Sequence, residues 1–530
     1  MSECDYIIVG GGSAGCAVAN RLSAEPAHDV VLLDAGRSDR HLFVRIPAGM
    51  GMIMPREDMV WHHMAEADPT RAGRTEMWPA GKCLGGGSAI NGMMFVRGHR
   101  RDYDHWAELG NPGWSYDEVL PYFRRLETSD RGPNDYRGGD GPQHVADNRI
   151  SHPLIDSFMA GAQELGVAYN DDLNGASQEG VGRVQASQRR GMRHSTASAY
   201  IWPVKSRRNL DVQLQALVSR VLFDGRRAVG VEYRHKGESR RLLARKGVII
   251  SAGAMASPKL LMLSGVGDPD ALRAHDIQTV LELPGVGKNL QEHPGASMRM
   301  HVNIDTINSD LGPLRSIVHG LNYLLDGSGP LSTPIAHAQA FINTRAGLPA
   351  PNIQVIFSVV AHELVEGSAR AYPKPAISFA IGLCRVSSRG EIRLRSNSID
   401  APPIIDYELL SEADDVLQIT EGCRFVRELV RTPALSKYVV DEPLPGASVE
   451  SDAQWQQYLH ESSILMYHPC GSCKMGNDEQ AVVDHRLRVR GAEALWVADA
   501  SIIPTIPAGN INASCIMIGE KAADMIAQDS

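Results

Sequence analysis

The sequence has few cysteines for its length, no long apolar segment and no excess of basic charge. Its 530 residues include 8 scattered cysteines, which indicate no disulfide framework and favour a reducing, cytoplasmic location. No apolar run approaches the roughly 20 residues that span a bilayer, so no integral membrane segment is expected and only peripheral contact stays open. With 53 Lys and Arg against 62 Asp and Glu, the net charge of −9 argues against nucleic acid or an anionic membrane as the main partner.

Metal-binding patterns are equally scarce. Cys470 and Cys473 form a CxxC pair, but no second pair lies nearby to complete a zinc site, so no metal is expected. The length of the chain exceeds one ordinary core, which predicts two domains or one large domain with insertions.

The first thirty-six residues contain an ordered series of elements. A β-rich apolar run at 6–9 is followed by a glycine turn at 10–15 and by small and apolar residues at helical spacing over 16–22. A second apolar run at 30–33 then ends at Asp34. The order of strand, glycine turn, helix, strand and acid is typical of a dinucleotide-binding βαβ unit. It does not decide between FAD and NAD.

The residues of this unit have separate physical tasks. Gly10 permits the tight turn, Gly12 lets a pyrophosphate approach the backbone, and Gly15 lets the helix pack close to the strand. The N-terminus of the helix offers unpaired N–H groups and a partial positive charge to the phosphates. Asp34 is expected to accept a hydrogen bond from a ribose hydroxyl.

A second glycine cluster, at 81–93, has no strand pattern and indicates a backbone pressed against something flat or charged. This cluster resembles the first signature of the glucose-methanol-choline (GMC) flavoprotein oxidoreductases, and the segment 253–267 resembles the second. Further family-like segments lie at 284–293, 388–394, 467–476 and 497–501. The resemblance runs from end to end, and within the family the chain is most similar to the choline-dehydrogenase-like branch of alcohol dehydrogenases.

The resemblance implies that FAD is the cofactor and that it is held non-covalently. Ile90 stands where some members carry a histidine that bonds covalently to the flavin, and Ala80 stands where an arginine is common. The positions that match the family's FAD contacts are Gly10, Gly12, Ser13, Ala14, Gly15, Asp34, Ala35, Gly85, Gly86, Ser88, Asn91, Gly92, Met93, Val218, Ala252, Asp499, Ala500, Asn510 and Asn512.

The resemblance also places His468 and Asn510 at the two polar positions that face the flavin on the substrate side. An imidazole titrates near the working pH, so His468 can take the hydroxyl proton of an alcohol or hydrogen-bond the alkoxide. A neutral amide can hold the substrate oxygen without acting as a competing base. Asn510 and Asn512 are both candidates for this role and for capping the next helix, and family alignment favours Asn510 for the chemistry. That helix, predicted over 513–527, is expected to stabilise the anion of the reduced flavin with its N-terminus.

The substrate pocket is assigned by the same resemblance to Trp61, His337, Met466 and Tyr467. His337 aligns where choline-oxidising members have a glutamate that pairs with the trimethylammonium, so choline is disfavoured even though Trp61 suits an aromatic cage. The alternative for His337 is a polar pocket or surface residue. Met466 is expected to crowd the approach of oxygen to the flavin, which favours a dehydrogenase over an oxidase.

The expected fold class is α/β, a Rossmann-like FAD-binding domain of GMC type with a discontinuous α+β substrate domain built on an antiparallel sheet with helices. Apolar patterns predict strands at 211–233, 242–252, 353–359 and 377–383 and a helix at 413–431. Asp224 and Gly225 predict a hairpin turn within the first of these. The domains are expected at 1–155, 200–300 and 465–530 for FAD and at 156–199 and 301–464 for the substrate.

The function implied by these assignments is FAD-dependent oxidation of a small primary alcohol to the aldehyde. The alternatives are an oxygen-using alcohol oxidase, including the pyridoxine and aryl-alcohol types, and a non-redox FAD-containing lyase of the same fold. The electron acceptor stays open among oxygen, a quinone and a dye, and the oligomeric state is open between monomer and homodimer.

Overall fold

Two large β-sheets dominate the molecule. A computed structural model describes residues 2–310, 313–365 and 368–529 of the chain. The first sheet is seven-stranded, with Leu495–Val497 beside Glu238–Ile250 and the remaining strands in the order Leu210–Leu214, Val30–Asp34, Ser2–Val9, Glu238–Ile250, Arg227–His235 and Ala216–Asp224. The second, also seven-stranded, has Ile464–Leu465 beside Pro294–Val302 and the order Val439–Leu444, Pro294–Val302, Ala376–Leu383, Ile353–Ser358, Ala338–Ile342 and Gly180–Arg183.

The first sheet contains the predicted nucleotide unit. Ser2–Val9 pairs in parallel with Val30–Asp34 on one side and with Glu238–Ile250 on the other. The helix Ser13–Leu22 connects the first two strands, and its small residues are buried. Because both faces of parallel strands are covered, their residues read as continuous apolar runs, which is the pattern that predicted them. The α/β fold with a Rossmann-like sheet is confirmed.

The hairpin predicted at Asp224 and Gly225 is present. Ala216–Asp224 and Arg227–His235 pair antiparallel, and Gly225 adopts a positive φ of 58° in the turn between them. A residue with a side chain adopts this backbone conformation less readily, which is why glycine marks the position in the sequence.

The second sheet pairs its strands antiparallel throughout, as expected for the substrate half. Its predicted helix spans Ala413–Arg431 and packs on Ala376–Leu383 and Ile353–Ser358. Gly422 allows this close packing, since a Cβ there would lie 2.6 Å from a side-chain carbon of Ile381. The antiparallel sheet with helices is therefore present.

All four expected domain boundaries fall inside elements, and the one between residues 199 and 200 lies within the short helix Ala197–Ile201. Residue 155 lies within the helix Pro153–Glu164, residue 300 within the strand Pro294–Val302, and residue 465 within Ile464–Leu465. The last two strands pair with each other in the antiparallel sheet, so the chain joins that sheet earlier and leaves it later than expected. The division into two discontinuous domains stays a proposal.

The helices of eight or more residues in the described ranges are Ser13–Leu22, Arg100–Glu108, Tyr116–Leu126, Pro153–Glu164, Ala256–Leu263, Pro313–Asp326, Ala413–Arg431, Asp452–Ser462 and Asn512–Gln528. Within those ranges, every helix is too short or too polar to cross a bilayer.

Candidate active site

Two helix N-termini meet beside the first glycine turn. The helix Ser13–Leu22 begins after Gly12 and the helix Asn512–Gln528 begins after Ile511, and neither has a side-chain cap. The Asn512 amide donates to the Ser13 hydroxyl at 2.7 Å, which joins the first turns of the two helices. Uncapped N–H groups at the positive ends of two helix dipoles suit the negatively charged groups of a bound dinucleotide.

Asn512 is not the cap of the last helix, so the capping alternative for both asparagines is wrong. Ile511 occupies the cap position, and the helix extends from Asn512 to Gln528, slightly beyond the predicted 513–527. The side chain of Asn512 bridges to the other helix instead.

The second glycine cluster lies directly on the first. The Gly85 N–H donates to the Gly11 carbonyl at 2.7 Å. Gly86 has a positive φ of 51°, and a Cβ on it would lie 2.8 Å from the Gly12 Cα. The backbone of 81–93 is therefore pressed against the dinucleotide turn, while its contact with a flavin ring stays a prediction.

Asp34 closes the dinucleotide turn. Its carboxylate accepts one N–H from Gly11 and one from Gly36, each at 2.7 Å. Burial raises the pKa of Asp34, and the two N–H donors oppose this rise. Each carboxylate oxygen has a second lone pair, so the predicted bond to a ribose hydroxyl is compatible with these contacts.

Asp499 fixes the C-terminal segment 497–501 in the same way, because its carboxylate accepts hydrogen bonds from backbone and side-chain donors. One carboxylate oxygen accepts from the Gly253 N–H at 2.8 Å and from the Ser257 hydroxyl at 2.5 Å, and the other accepts from the Ser501 N–H at 2.7 Å. These contacts hold the 497–501 segment, including Ala500, against the turn that follows the strand Glu238–Ile250.

The remaining predicted FAD contacts lie in three places. Ser88, Asn91, Gly92 and Met93 follow the second glycine cluster, Ala35 follows Asp34, and Val218 and Ala252 belong to the edge and the end of strands in the first sheet. The Asn91 side-chain oxygen accepts from the buried Arg193 at 2.8 Å, which orients this loop. Ile90 is buried against Val44 and Ile53, so no nucleophile occupies the position of the covalent histidine.

The two predicted catalytic residues are in contact. The side-chain amide nitrogen of Asn510 lies 3.0 Å from His468 Nε2. The side-chain amide of Gln354 donates to the side-chain oxygen of Asn510 at 3.3 Å and to the side-chain oxygen of Gln339 at 2.9 Å. With the side-chain amides in these orientations, the Asn510 NH₂ group faces the imidazole, and Nε2 accepts from it as the unprotonated nitrogen.

His468 is buried and neutral. Burial lowers its pKa well below the ordinary 6.5, and the nearby His293 lowers it further. Its Nδ1 has no partner among the described residues. A neutral imidazole with an accessible lone pair is the form that accepts a proton from an alcohol.

Glu292 holds the backbone of His468 in place, a role that the sequence did not reveal. Its carboxylate accepts the His468 backbone N–H at 2.6 and 2.8 Å and the His293 backbone N–H at 2.9 Å. The residue before His468, Tyr467, has a positive φ of 63°, which is unfavourable for a non-glycine residue. Glu292 therefore stabilises the turn that presents the imidazole.

The charge state of Glu292 reflects its surroundings. The residue is fully buried, and burial raises its pKa to about 8 even though the His468 and His293 N–H groups lower it. The His293 ring, 5.5 Å from the His468 ring, lies between the Leu383 and Pro507 carbonyl oxygens at 2.6 and 3.1 Å. These contacts link the antiparallel sheet to the segment that leads to Asn510.

The predicted substrate-pocket residues differ in environment. Trp61 is half-buried with the Lys82 ammonium 4.2 Å above its ring, and Tyr467 is largely exposed. Met466 packs on the antiparallel sheet, with its sulfur 3.2 Å from the point where a Gly295 Cβ would lie. His337 is fully buried and its Nδ1 accepts the Val359 N–H at 3.2 Å, so the surface alternative for it is wrong.

Glu292, Gln339 and Gln354 were missed because each acts through partners that only the folded chain brings close. Gln339 and Gln354 each interrupt an apolar strand, and the strand register sets Gln339 opposite Ile356, on the same face as Gln354. A glutamine within a buried strand is a usable sequence signal, because buried polar groups need partners. Its partner is not visible without the register.

Comparisons with known proteins agree with this arrangement. Family models described as GMC oxidoreductase match residues 4–295 and 386–519. The chain is 40% identical over 528 residues to an oxygen-dependent choline dehydrogenase of Vibrio vulnificus, covering 98% of this chain and 94% of that protein. It is 39% identical over 534 residues to the mitochondrial choline dehydrogenase of Mus musculus, covering 99% and 89%. Among solved structures, pyridoxine 4-oxidase from Mesorbium loti superposes with a TM-score of 0.89 at 29% identity, covering 98% of each chain.

Proposed function

Because the chain belongs to the GMC oxidoreductase family, we propose that it oxidises a small primary alcohol to the aldehyde, with His468 and Asn510 as its catalytic residues. The coarser assignment, an FAD-dependent alcohol oxidoreductase of the choline-dehydrogenase-like type, follows from the family and from the similarity of the whole chain. The identity of the alcohol and the roles of individual residues are the proposal.

The contact between His468 and Asn510 carries this proposal. Their nitrogens lie 3.0 Å apart, one a hydrogen-bond donor and the other an acceptor. An alcohol oxygen that replaces this direct contact accepts from the Asn510 amide and donates its proton to His468 Nε2. Removal of that proton leaves a negative charge on the oxygen, which the amide N–H stabilises, so the carbon becomes a better hydride donor.

The cofactor supplies the hydride acceptor when it is bound. The uncapped N-terminus of Ser13–Leu22 would hold its pyrophosphate, and Asp34 would bind a ribose. The second glycine cluster and the uncapped N-terminus of Asn512–Gln528 would face its ring. The absence of a histidine at Ile90 supports non-covalent FAD. Acid precipitation is expected to release all of the flavin into the supernatant, and yellow colour retained in the pellet would contradict this.

The environment of Trp61 supports the proposal that choline is a poor substrate. A trimethylammonium group binds over the face of an aromatic ring, and the Lys82 ammonium already lies 4.2 Å from the centre of this ring. A second cation beside Lys82 would be repelled. An uncharged primary alcohol avoids this cost.

A dehydrogenase is proposed over an oxidase because Met466, two residues before His468, packs on the antiparallel sheet and is expected to crowd the approach of oxygen. The oxidase alternative is favoured by the similarity to pyridoxine 4-oxidase. Steady-state assays in air decide between them, since a dye-reducing dehydrogenase produces little peroxide and an oxidase produces it stoichiometrically.

The decisive experiment is anaerobic mixing of the purified yellow protein with aliphatic, aromatic, sugar and pyridoxine-type alcohols and choline, while flavin absorbance is followed. Bleaching by at least one uncharged primary alcohol, with formation of its aldehyde, is expected. Turnover with the flavin oxidised throughout would indicate a lyase instead. No bleaching with any alcohol would refute the proposal.

A further inference from the structure

The helix Pro313–Asp326 exposes a row of large apolar side chains. Leu324 and Leu325 are 81% and 84% exposed, and Ile317, Val318 and Leu321 are 62%, 53% and 53% exposed. Single exposed apolar residues are common on protein surfaces, but five on one helix are not. Something other than water is expected to cover them.

These five side chains form one continuous face. At 100° per residue they fall within about 120° of the helix surface. The half-buried residues His319 and Tyr323 lie on the opposite side, toward the rest of the chain. The helix is therefore anchored by one face and presents an amphipathic pattern whose apolar face points outward.

A second segment adds to this apolar surface. Leu42 and Met52 are 64% and 59% exposed. The short segment Pro47–Gly49, which lies between these two residues in the chain, packs on the segment Pro330–Ser332. Pro330–Ser332 also packs on the helix Pro313–Asp326. The helix and the 42–53 segment thus lie next to each other, although they are far apart in sequence.

Basic residues cluster at the C-terminal end of the helix. The exposed Arg149 donates to the carbonyl oxygens of Asp326 and Gly327 at 3.2 and 3.1 Å. The backbone of the exposed Arg190 lies against Gly327, and the exposed Arg45 contacts Met192 in the hairpin that contains Arg190. Three arginines therefore lie near this end of the helix, together with one exposed carboxylate, that of Asp326.

The net charge of −9 does not oppose this local cluster. Charges farther away than about 8–10 Å are screened at physiological ionic strength, so a surface responds to the charges beside it. Long arginine side chains next to an apolar face can reach the headgroups while the leucines enter the acyl region.

We propose that the helix Pro313–Asp326, with Leu42 and Met52, docks in the plane of a lipid bilayer that contains anionic lipids. A bilayer accepts a narrow apolar face flanked by basic side chains, and it does not require the about 800 Å² per partner that a standard protein interface buries. The arginines select a negatively charged surface over a neutral one. This inference is independent of the alcohol-oxidation proposal.

The test is flotation of the FAD-bound protein with vesicles of phosphatidylcholine alone and of 70% phosphatidylcholine with 30% phosphatidylglycerol. The test variant is L324S/L325S, which changes two exposed residues of the helix. The matched control is L417S/V440S, which makes the same chemical change at exposed positions outside this surface. Flavin absorbance and alcohol turnover in solution report that each variant is folded.

The wild type and L417S/V440S are expected to float with the anionic vesicles, and L324S/L325S is expected to bind at least tenfold more weakly. Binding should weaken at 0.5 M salt and with the neutral vesicles. Failure of the wild type to float with either vesicle would overturn the proposal. So would a dimer in sedimentation velocity that L324S/L325S converts to monomer without any vesicle binding, because the covering partner would then be a second copy.

Discussion

The two sheets supply the candidate site with different kinds of groups. The first sheet offers backbone: glycine turns, helix N-termini, and the carboxylates of Asp34 and Asp499 that accept backbone N–H groups. The second offers side chains on buried strands, where Gln339 and Gln354 orient Asn510. The first arrangement suits the binding of a cofactor of fixed shape, and the second suits the placing of a reacting atom.

Substitutions at the residues that the two sheets supply should therefore impair the enzyme in different ways. Changes in the first half are expected to remove the flavin, and changes in the second to leave the flavin bound but unreactive. The variants below test this separation.

The largest effect is expected from Gly86→Val, which should yield colourless protein. The positive φ of 51° and the Gly12 Cα at 2.8 Å leave no room for a side chain. The control Gly87→Ala has open space around its Cβ and should stay yellow. The flavin-to-protein absorbance ratio after purification measures both, and a yellow Gly86→Val protein would contradict the role of this cluster.

His468→Ala should retain FAD and lose alcohol-dependent flavin reduction by about 10²–10⁴-fold, the usual contribution of a general base. His275→Ala, two residues after the short helix Pro269–Arg273, serves as control. Stopped-flow bleaching supplies the rate. In the wild type this rate should be independent of pH above 6.5, because the pKa of His468 lies well below that value.

Gln354→Leu should slow flavin reduction by roughly tenfold while FAD binding is unchanged. A free Asn510 amide loses its preferred orientation, and a hydrogen bond of this kind is worth about 0.5–1.5 kcal/mol. The control Ile353→Val alters the same strand on the face opposite to the amide chain. Equal rates for Gln354→Leu and the wild type would remove the amide chain from the mechanism.

The smallest effect on flavin reduction is expected from Glu292→Gln, whose main consequence is a change in how stability depends on pH. The pKa of Glu292 is raised to about 8 in the folded protein, so the folded state holds a proton that the unfolded state releases above about pH 4.5. Wild-type stability should therefore fall as pH rises from 4.5 to 8, by at most about 1.4 kcal/mol per pH unit from this group.

Urea unfolding at several pH values tests this prediction. Glu292→Gln cannot ionise and should lack that part of the slope, whereas the exposed Glu282→Gln should keep it. Parallel pH profiles for all three proteins would show that Glu292 is ionised in the folded state.

Much of the first sheet and its turns could be predicted from the sequence, because glycine turns and apolar strands depend on residues that are adjacent in the chain. The βαβ unit, the Asp224 hairpin and the long helix Ala413–Arg431 were all predicted. The catalytic pair was assigned by family resemblance, and the two side chains are in contact. The domain boundaries and the cap of the last helix could not be predicted from the sequence. Both depend on contacts between segments that are distant in the chain.

The sequence by itself determined the strands, the turns that need glycine, and the residue types that alcohol chemistry requires. Only the tertiary structure decided that Glu292 clamps the His468 backbone and that Gln354 orients Asn510, because these partners lie 176 and 156 residues apart. Local periodicity reflects the conformational preference of adjacent residues. The pairing of buried polar groups depends instead on strand register, which forms only when distant segments fold together.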